Sequence, residues 1–165
     1  MKVTIGIPAF NEEKNIAKMI VKLKKIYDEI IVCNDGSADL TGEIAENLGA
    51  IVINHKQNLG YGAGINSIIK KAKEIDTDIL VTFDADGQHK VEDVKKVIEP
   101  IKNGDADLVI GSRFLSKTKE KIPEYRKIGI NIITKVTNAG LKKKITDSQS
   151  GFRAYSKDLI SKLDI

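Results

Sequence analysis

Short apolar runs rich in β-branched residues recur along this chain at residues 3–7, 30–33, 50–53, 79–83 and 107–110. Between them lie segments whose apolar residues recur at helical spacing: Ile16, Met19, Ile20 and Leu23 after the first run, Ile44, Ala45 and Leu48 after the second. Parallel strands can be joined only through a long crossover, which a helix supplies, so regular alternation of this kind predicts an α/β fold with a mostly parallel sheet flanked by helices. Pro8 is expected to end the first strand and Gly49 the second helix. Asp39 or Thr41 is the expected cap of that helix, and further helices are expected over 63–72 and 91–101. With 165 residues and no linker or repeat, one domain spans 1–165.

The strands end in polar clusters. Residues 3–7 run into Pro8, Ala9, Phe10, Asn11 and Glu12, and residues 30–33 into Asn34, Asp35, Gly36 and Ser37. Residues 79–83 run into Asp84, Ala85, Asp86, Gly87, Gln88 and His89, and residues 107–110 into Gly111, Ser112 and Arg113. In a doubly wound sheet the carboxyl ends of the strands share one rim, where ligands collect, so Asp35, Asp84, Asp86 and Arg113 are expected to meet there. Two carboxylates two residues apart suit one hard cation bound to a phosphate, with Gln88 and His89 completing its shell. They could equally end the strand and cap the next helix. Asp35 can accept hydrogen bonds from a ribose or base, and Arg113 can grip a phosphate. Such a rim describes a pocket for a nucleoside diphosphate.

Composition narrows the partners. A chain that is 41% hydrophobic and 30% charged is that of a soluble globular protein. No apolar run approaches the roughly 18 to 20 residues of a membrane span and no signal peptide opens the sequence, so a cytoplasmic location is expected. The single cysteine, Cys33, sits in an apolar run and reads as core. Residues 1–112 hold 14 Lys and Arg against 18 Asp and Glu, whereas residues 113–165 hold 13 against 5. The basic end calls for an anionic neighbour, either phosphate or an acidic membrane surface, or else is a solvated lysine-rich face. Nucleic acid is not expected, because no aromatic residues interleave the basic ones. Gly60, Gly62 and Gly64 lack the spacing of a dinucleotide fingerprint, and neither a P-loop nor an EF-hand pattern occurs.

Taken together and in order, these motifs resemble the family 2 glycosyltransferases of GT-A fold, and within them the dolichyl-phosphate or polyprenyl-phosphate sugar (mannose, glucose or N-acetylglucosamine) synthases. The resemblance extends from Val3 to about Tyr155. Pro8, Phe10, Asn11 and Glu12 match the P-x-Y-N-E opening, with Phe for the usual Tyr, and Asn34-Asp35-Gly36-Ser37 matches D-D-G-S with Asn34 replacing the first aspartate. His55, Asn58, Gly60 and Gly62 match an H-x-x-N-x-G-x-G loop, and Asp84, Asp86 and Gln88 match the metal-binding D-x-D-x-Q. Gly111-Ser112-Arg113, Arg126 and the stretch holding Asp147, Ser150, Gly151, Phe152 and Arg153 are similar to the segments around the acceptor phosphate in those synthases.

The resemblance implies an inverting transfer from a UDP- or GDP-sugar to dolichyl or polyprenyl phosphate, assisted by Mg²⁺ or Mn²⁺. It implies donor contacts at Pro8, Phe10, Asn11, Glu12, Asp35, Asn58, Gly60, Asp84, Ala85 and Asp86, and a metal on Asp84, Asp86 and Gln88. Asp84, Asp86, Arg113 and Arg126 would be catalytic, and Arg113, Arg126, Ser150 and Arg153 would hold the acceptor phosphate. Residues 125–141 can form a helix with Ile128, Ile132, Ile133 and Val136 on one face, with Arg126, Lys127 and Lys135 at its margins. Such a helix could lie on the cytoplasmic face of a membrane or pack on the core. Ending at Ile165, the chain is either a minimal catalytic domain or one truncated at its C-terminus. Two rival readings stand beside this one: transfer to a sugar hydroxyl, with Asp147 as the base, and a silent nucleotide-sugar-binding module.

Overall fold

A computed structural model describes residues 1–85, 90–112, 130, 133–134, 137–139 and 145–164. The elements are β1 (Val3–Ala9), α1 (Glu13–Lys24), β2 (Glu29–Asn34), α2 (Thr41–Asn47), β3 (Ile51–Asn54), α3 (Tyr61–Glu74) and β4 (Ile79–Thr82). A 3-10 turn (Val91–Asp93) follows, then α4 (Val94–Lys102), β5 (Leu108–Ile110), β6 (Arg153–Ser156) and α5 (Lys157–Lys162). The strands form one sheet in the order β3-β2-β1-β4-β6-β5. β1, β2, β3 and β4 pair in parallel, while β6 runs antiparallel to both β4 and β5.

Strand periodicity divides the core between the two faces of this sheet. Ile5, Ile7, Ile30, Val32, Ile79 and Val81 pack with Ile16, Ile20 and Leu23 of α1 and Val94, Val97 and Ile98 of α4. On the other face Ile31, Cys33 and Leu80 pack with Ile68, Ile69 and Ala72 of α3 and Ile160 of α5. Cys33 is fully buried, as its apolar setting predicts, and burial pushes its thiol up to about 11. Gly6 lets α3 lie directly on β1, since a Cβ there would stand 2.3 Å from Ile68 Cγ2.

Three sequence expectations need correction. β1 continues through Pro8, which pairs in register with Cys33, to Ala9. Proline is tolerated because β1 pairs with β4 only as far as Gly6, where Phe83 N donates to Gly6 O, so no ladder bond is required of residue 8 on that side. Helix α3 begins at Tyr61 rather than Ala63. The stretch from Arg153, where the sequence predicts no strand, is an interior strand antiparallel to both its neighbours, and β5, which runs in the same direction as β1 to β4, joins the sheet only through it.

Of residues 125–141, positions 130, 133, 134, 137, 138 and 139 are described, the first five helical and 139 in a turn. Ile130 and Thr134 are buried, and Ile133 is 46% exposed. The Thr134 and Ser148 hydroxyls lie 3.1 Å apart, and Asn138 exchanges two hydrogen bonds with the Ile145 backbone. This face of the helix therefore docks on the loop that precedes β6. Ile128, Ile132 and Val136, the rest of the expected apolar stripe, lie outside the described residues.

Candidate active site

At the carboxyl rim, the loop after β1 and the loop after β2 cap each other's helices. Neither α1 nor α2 has a side-chain bond from its own cap residue, although the first amides of a helix need acceptors. Glu12 N donates instead to Thr41 Oγ1 (2.7 Å) and Glu13 N to Asp39 Oδ2 (3.1 Å). In return Ala38 N donates to Asn11 Oδ1 (2.9 Å) and Leu40 N to Glu13 Oε2 (3.3 Å). Asn11 sits at φ 55°, a left-handed conformation that asparagine accepts more readily than most residues. Its amide donates to Ser37 Oγ at 2.9 Å. The turn leaves Phe10 46% exposed at the mouth of the rim.

Asp35 follows β2 and is 5% exposed. Its Oδ1 accepts from His55 Nδ1 (2.6 Å) and Leu59 N (3.0 Å), and its Oδ2 from Gly60 N (2.8 Å). An ionised carboxylate only accepts, which assigns a proton to His55 Nδ1, and Nε2 lies 2.8 Å from Ser67 Oγ. Burial alone would raise the Asp35 carboxyl, but the bonds from the Leu59 amide, His55 and the Gly60 amide outweigh it and hold the group below the usual carboxylate range. Asn58 Oδ1 also accepts from Gly60 N at 3.0 Å. Gly60 adopts φ 90° and ψ 162°, which glycine reaches without strain, and turns the chain into α3. Asp35, His55 and Asn58 thus shape the loop that launches α3. Nothing local in the sequence marks this role for Asp35, although His55 belongs to the H-x-x-N-x-G-x-G motif.

A cleft of about 590 Å³ opens between the rim loops and is lined by Pro8, Phe10, Glu12, Tyr61, Asp84, Ala85, Ser148, Gln149, Ser150, Gly151 and Arg153. Of the expected donor residues, Pro8, Phe10, Glu12, Asp84 and Ala85 line it, whereas Asn11, Asp35, Asn58 and Gly60 act from behind, holding the loops. The loop at 148–151 is fastened from below: Thr82 Oγ1 donates to Gly151 O (2.6 Å), and Arg153 donates through Nε to Ser150 O (2.8 Å) and through Nη2 to Ser148 O (2.9 Å). Phe152 meets Phe83 edge to face at 5.7 Å, and Gly111 abuts the Phe152 ring. Ser150 is 1% exposed, and its hydroxyl accepts from Phe152 N. Asp147 is equally buried, does not line the cleft, and accepts from Gln149 N.

Asp84 is the member of the D-x-D pair within the described residues; Asp86, Gln88, His89, Arg113 and Arg126 lie outside them. Tyr61 Oη donates to Asp84 Oδ1 at 3.1 Å. Burial, reinforced by the charge of Asp84, raises the tyrosine phenol well above its ordinary value, so it stays a protonated donor. No cluster of three metal-ligating side chains occurs among the described residues. The hard oxygen donors of Asp84 in the cleft suit one edge of a divalent-cation site.

The α/β sheet with an antiparallel β6 between β4 and β5, and a cleft over the carboxyl ends of β1 and β4, agrees with the expected GT-A fold. Residues 4–164 match the family described as Glycosyl transferase family 2, and the chain belongs to it. It is 39% identical over 179 residues to a UDP-N-acetylglucosamine--dolichyl-phosphate N-acetylglucosaminyltransferase of Methanococcus voltae, with 95% of this chain and 70% of that protein covered. It is 35% identical over 176 residues to a dolichol-phosphate mannosyltransferase of Pyrococcus furiosus, with 100% of this chain covered but 49% of that protein. Among solved structures, glucosyl-3-phosphoglycerate synthase from Mycobacterium tuberculosis, in complex with Mn²⁺, UDP-glucose and phosphoglyceric acid, superposes with a TM-score of 0.70 at 23% identity. That match covers 95% of this chain and 57% of the other, and at this identity it speaks to the fold alone.

Proposed function

We propose that this domain transfers a hexosyl group from a UDP- or GDP-sugar to a dolichyl or polyprenyl phosphate at a membrane surface. The observation that carries the reading is the cleft itself. One wall, Pro8, Phe10 and Glu12, belongs to the donor-type opening motif, the floor holds Asp84, and the opposite wall is the 148–151 loop tied down by Arg153. The relatives named for transfer to dolichyl phosphate cover nearly all of this chain.

A divalent cation, Mg²⁺ or Mn²⁺, held by Asp84, Asp86 and Gln88 would act as a Lewis acid on the departing diphosphate. Phe10 offers an exposed ring at the mouth against which a base can lie, and Glu12 faces the same space. An acceptor phosphate is already ionised near neutral pH, so the chemistry asks for no strong base. A sugar-hydroxyl acceptor does ask for one, and the burial of Asp147 away from the cleft argues against that rival. Arg113 and Arg126 would hold the attacking phosphate in line. Arg153 would contribute chiefly by ordering the loop beside it, since two of its nitrogens already serve backbone carbonyls. Among the described residues no helix is long and apolar enough to cross a membrane.

The test is transfer of labelled sugar from UDP-glucose, UDP-N-acetylglucosamine and GDP-mannose to a short-chain polyprenyl phosphate. Product with at least one donor, dependent on divalent metal, is expected. Transfer to an alkyl glycoside but not to the lipid phosphate would make the hydroxyl-acceptor reading the better one, and donor binding without any transfer would identify a binding module.

A further inference from the structure

Tyr61 occupies only a variable position of the H-x-x-N-x-G-x-G motif, yet three segments of the site meet at its hydroxyl. We propose that Tyr61 is a positioning residue that fixes the carboxylate of Asp84 for the metal-bound donor, with Gly151 leaving the space in which the two side chains meet; this rests on the metal-assisted reading of the cleft. Tyr61 as a whole residue is 52% exposed, so burial of apolar surface alone does not explain its placement. Its hydroxyl nevertheless turns inward to Asp84 Oδ1. The position of its backbone is set from the far side of the rim, because Asp35 holds the amides of Leu59 and Gly60 immediately before it.

Gly151 supplies the independent observation. A Cβ there would lie 2.3 Å from Tyr61 Oη and 2.5 and 2.6 Å from the two Asp84 oxygens, and the backbone of Gly151 is not in a left-handed conformation. An alanine could therefore adopt this backbone, and what excludes it is the Tyr61–Asp84 contact. The start of α3, the end of β4 and the loop before β6 thus converge on one hydrogen bond. A carboxylate just beyond a strand end rotates about two side-chain torsions, and a phenol donor that fixes one oxygen removes most of that freedom before a cation arrives. Groups that orient metal ligands in this way typically change metal affinity or activity by about 10- to 100-fold when removed.

The experiment measures the affinity of the purified protein for UDP, and in parallel for GDP, with Mn²⁺ and with EDTA. The readout is the ratio of the two affinities, which a general distortion of the pocket would leave unchanged. Tyr61→Phe keeps the ring and loses the donor, and we expect it to lower the Mn²⁺ enhancement about 10-fold or more. Gly151→Ala should lower it as well, and the double variant should fall no further than Gly151→Ala alone. A wild-type ratio in Tyr61→Phe, an equal loss in both arms, or additive losses in the double variant would overturn the proposal. Asp84→Asn separates the two levels of inference. If it abolishes the Mn²⁺ enhancement while Tyr61→Phe does not, the Tyr61 proposal alone falls. If the wild type shows no enhancement with either nucleotide, the metal-assisted reading falls and takes the Tyr61 proposal with it.

Discussion

Replacing Asp35 by Ala would remove acceptors from three donors at once, and the structure allows the consequence to be worked through. Gly60 N keeps a second acceptor in Asn58 Oδ1, so its loss is partial. Leu59 N and His55 Nδ1 have no such substitute among their described bonds. A hydrogen bond to a charged group is worth about 1.5 to 3 kcal/mol, which puts the pair at about 3 to 6 kcal/mol if both donors stay dry. Leu59 and Gly60 lie in a loop that water can reach, so we expect the lower half of that range, about 3 to 4 kcal/mol. Urea unfolding at neutral pH measures it, and amide hydrogen exchange should show Leu59 and Gly60 among the residues most deprotected. The pH dependence supplies a second check. The folded carboxyl lies below its unfolded value, so its stabilisation is complete above the unfolded pKa of about 3.9 and disappears as pH falls through the lower folded value. The difference between wild type and Asp35→Ala should therefore be constant above about pH 5 and shrink below about pH 4. A loss under about 1 kcal/mol, or a difference that persists undiminished in acid, would refute the assignment of Asp35 as the anchor of this loop.

Other substitutions probe the remaining contacts. Asn11→Ala should destabilise by about 1 to 2 kcal/mol, combining a strained φ with the lost bond to Ala38, while Asn11→Gly should recover part of that in thermal unfolding. Gly111→Ala would set a Cβ 2.3 Å from Phe152 Cδ1, and a loss of about 1 to 3 kcal/mol in denaturant titrations is expected from the overpacking. Arg153→Lys keeps the charge but not the fork that reaches two carbonyls, so proteolysis should cut more readily near residues 148–151 even without substrates. Protection unchanged from wild type would return Arg153 to a role on the acceptor alone.

The parallel part of the fold was legible because each strand announces itself twice, by a β-branched run and by the polar residues that follow it. The inward residues of α1 could be read for the same reason, since Ile16, Met19, Ile20 and Leu23 are all buried. β6 was not legible. Arg153 to Ser156 is four residues long, with polar residues at both ends and a partner 71 to 77 positions earlier in β4, so no local pattern marks it. The cleft was foreseen in location and in part of its lining, because chain order places Phe10, Glu12 and Asp84 beyond strand ends and Pro8 next to one. Tyr61 escaped notice because its contribution is a contact across 23 residues, and a tyrosine at a helix start carries no such signal. The bonds of Asp35 to the backbone amides of Leu59 and Gly60 escape a sequence reading for the same reason. A residue type limits the bonds a side chain can make, whereas the turn geometry at Gly60 determines which donors arrive first.

The insertion of β6 between β4 and β5 also has a consequence for how the protein is made. Translation delivers β1 to β4 with their helices well before residue 153, and those strands can assemble as they emerge. β5 appears some forty residues before its partner, and until then β4 presents an open edge whose residues, Ile79 to Thr82, are all apolar or β-branched. An unpaired edge of that composition invites pairing with another nascent chain. The strand that closes it also pulls the 148–151 loop into the cleft. A ribosome-bound chain stalled before residue 153 should therefore have a sticky sheet edge and an unanchored 148–151 loop, and emergence of β6 should cure both in one cooperative step.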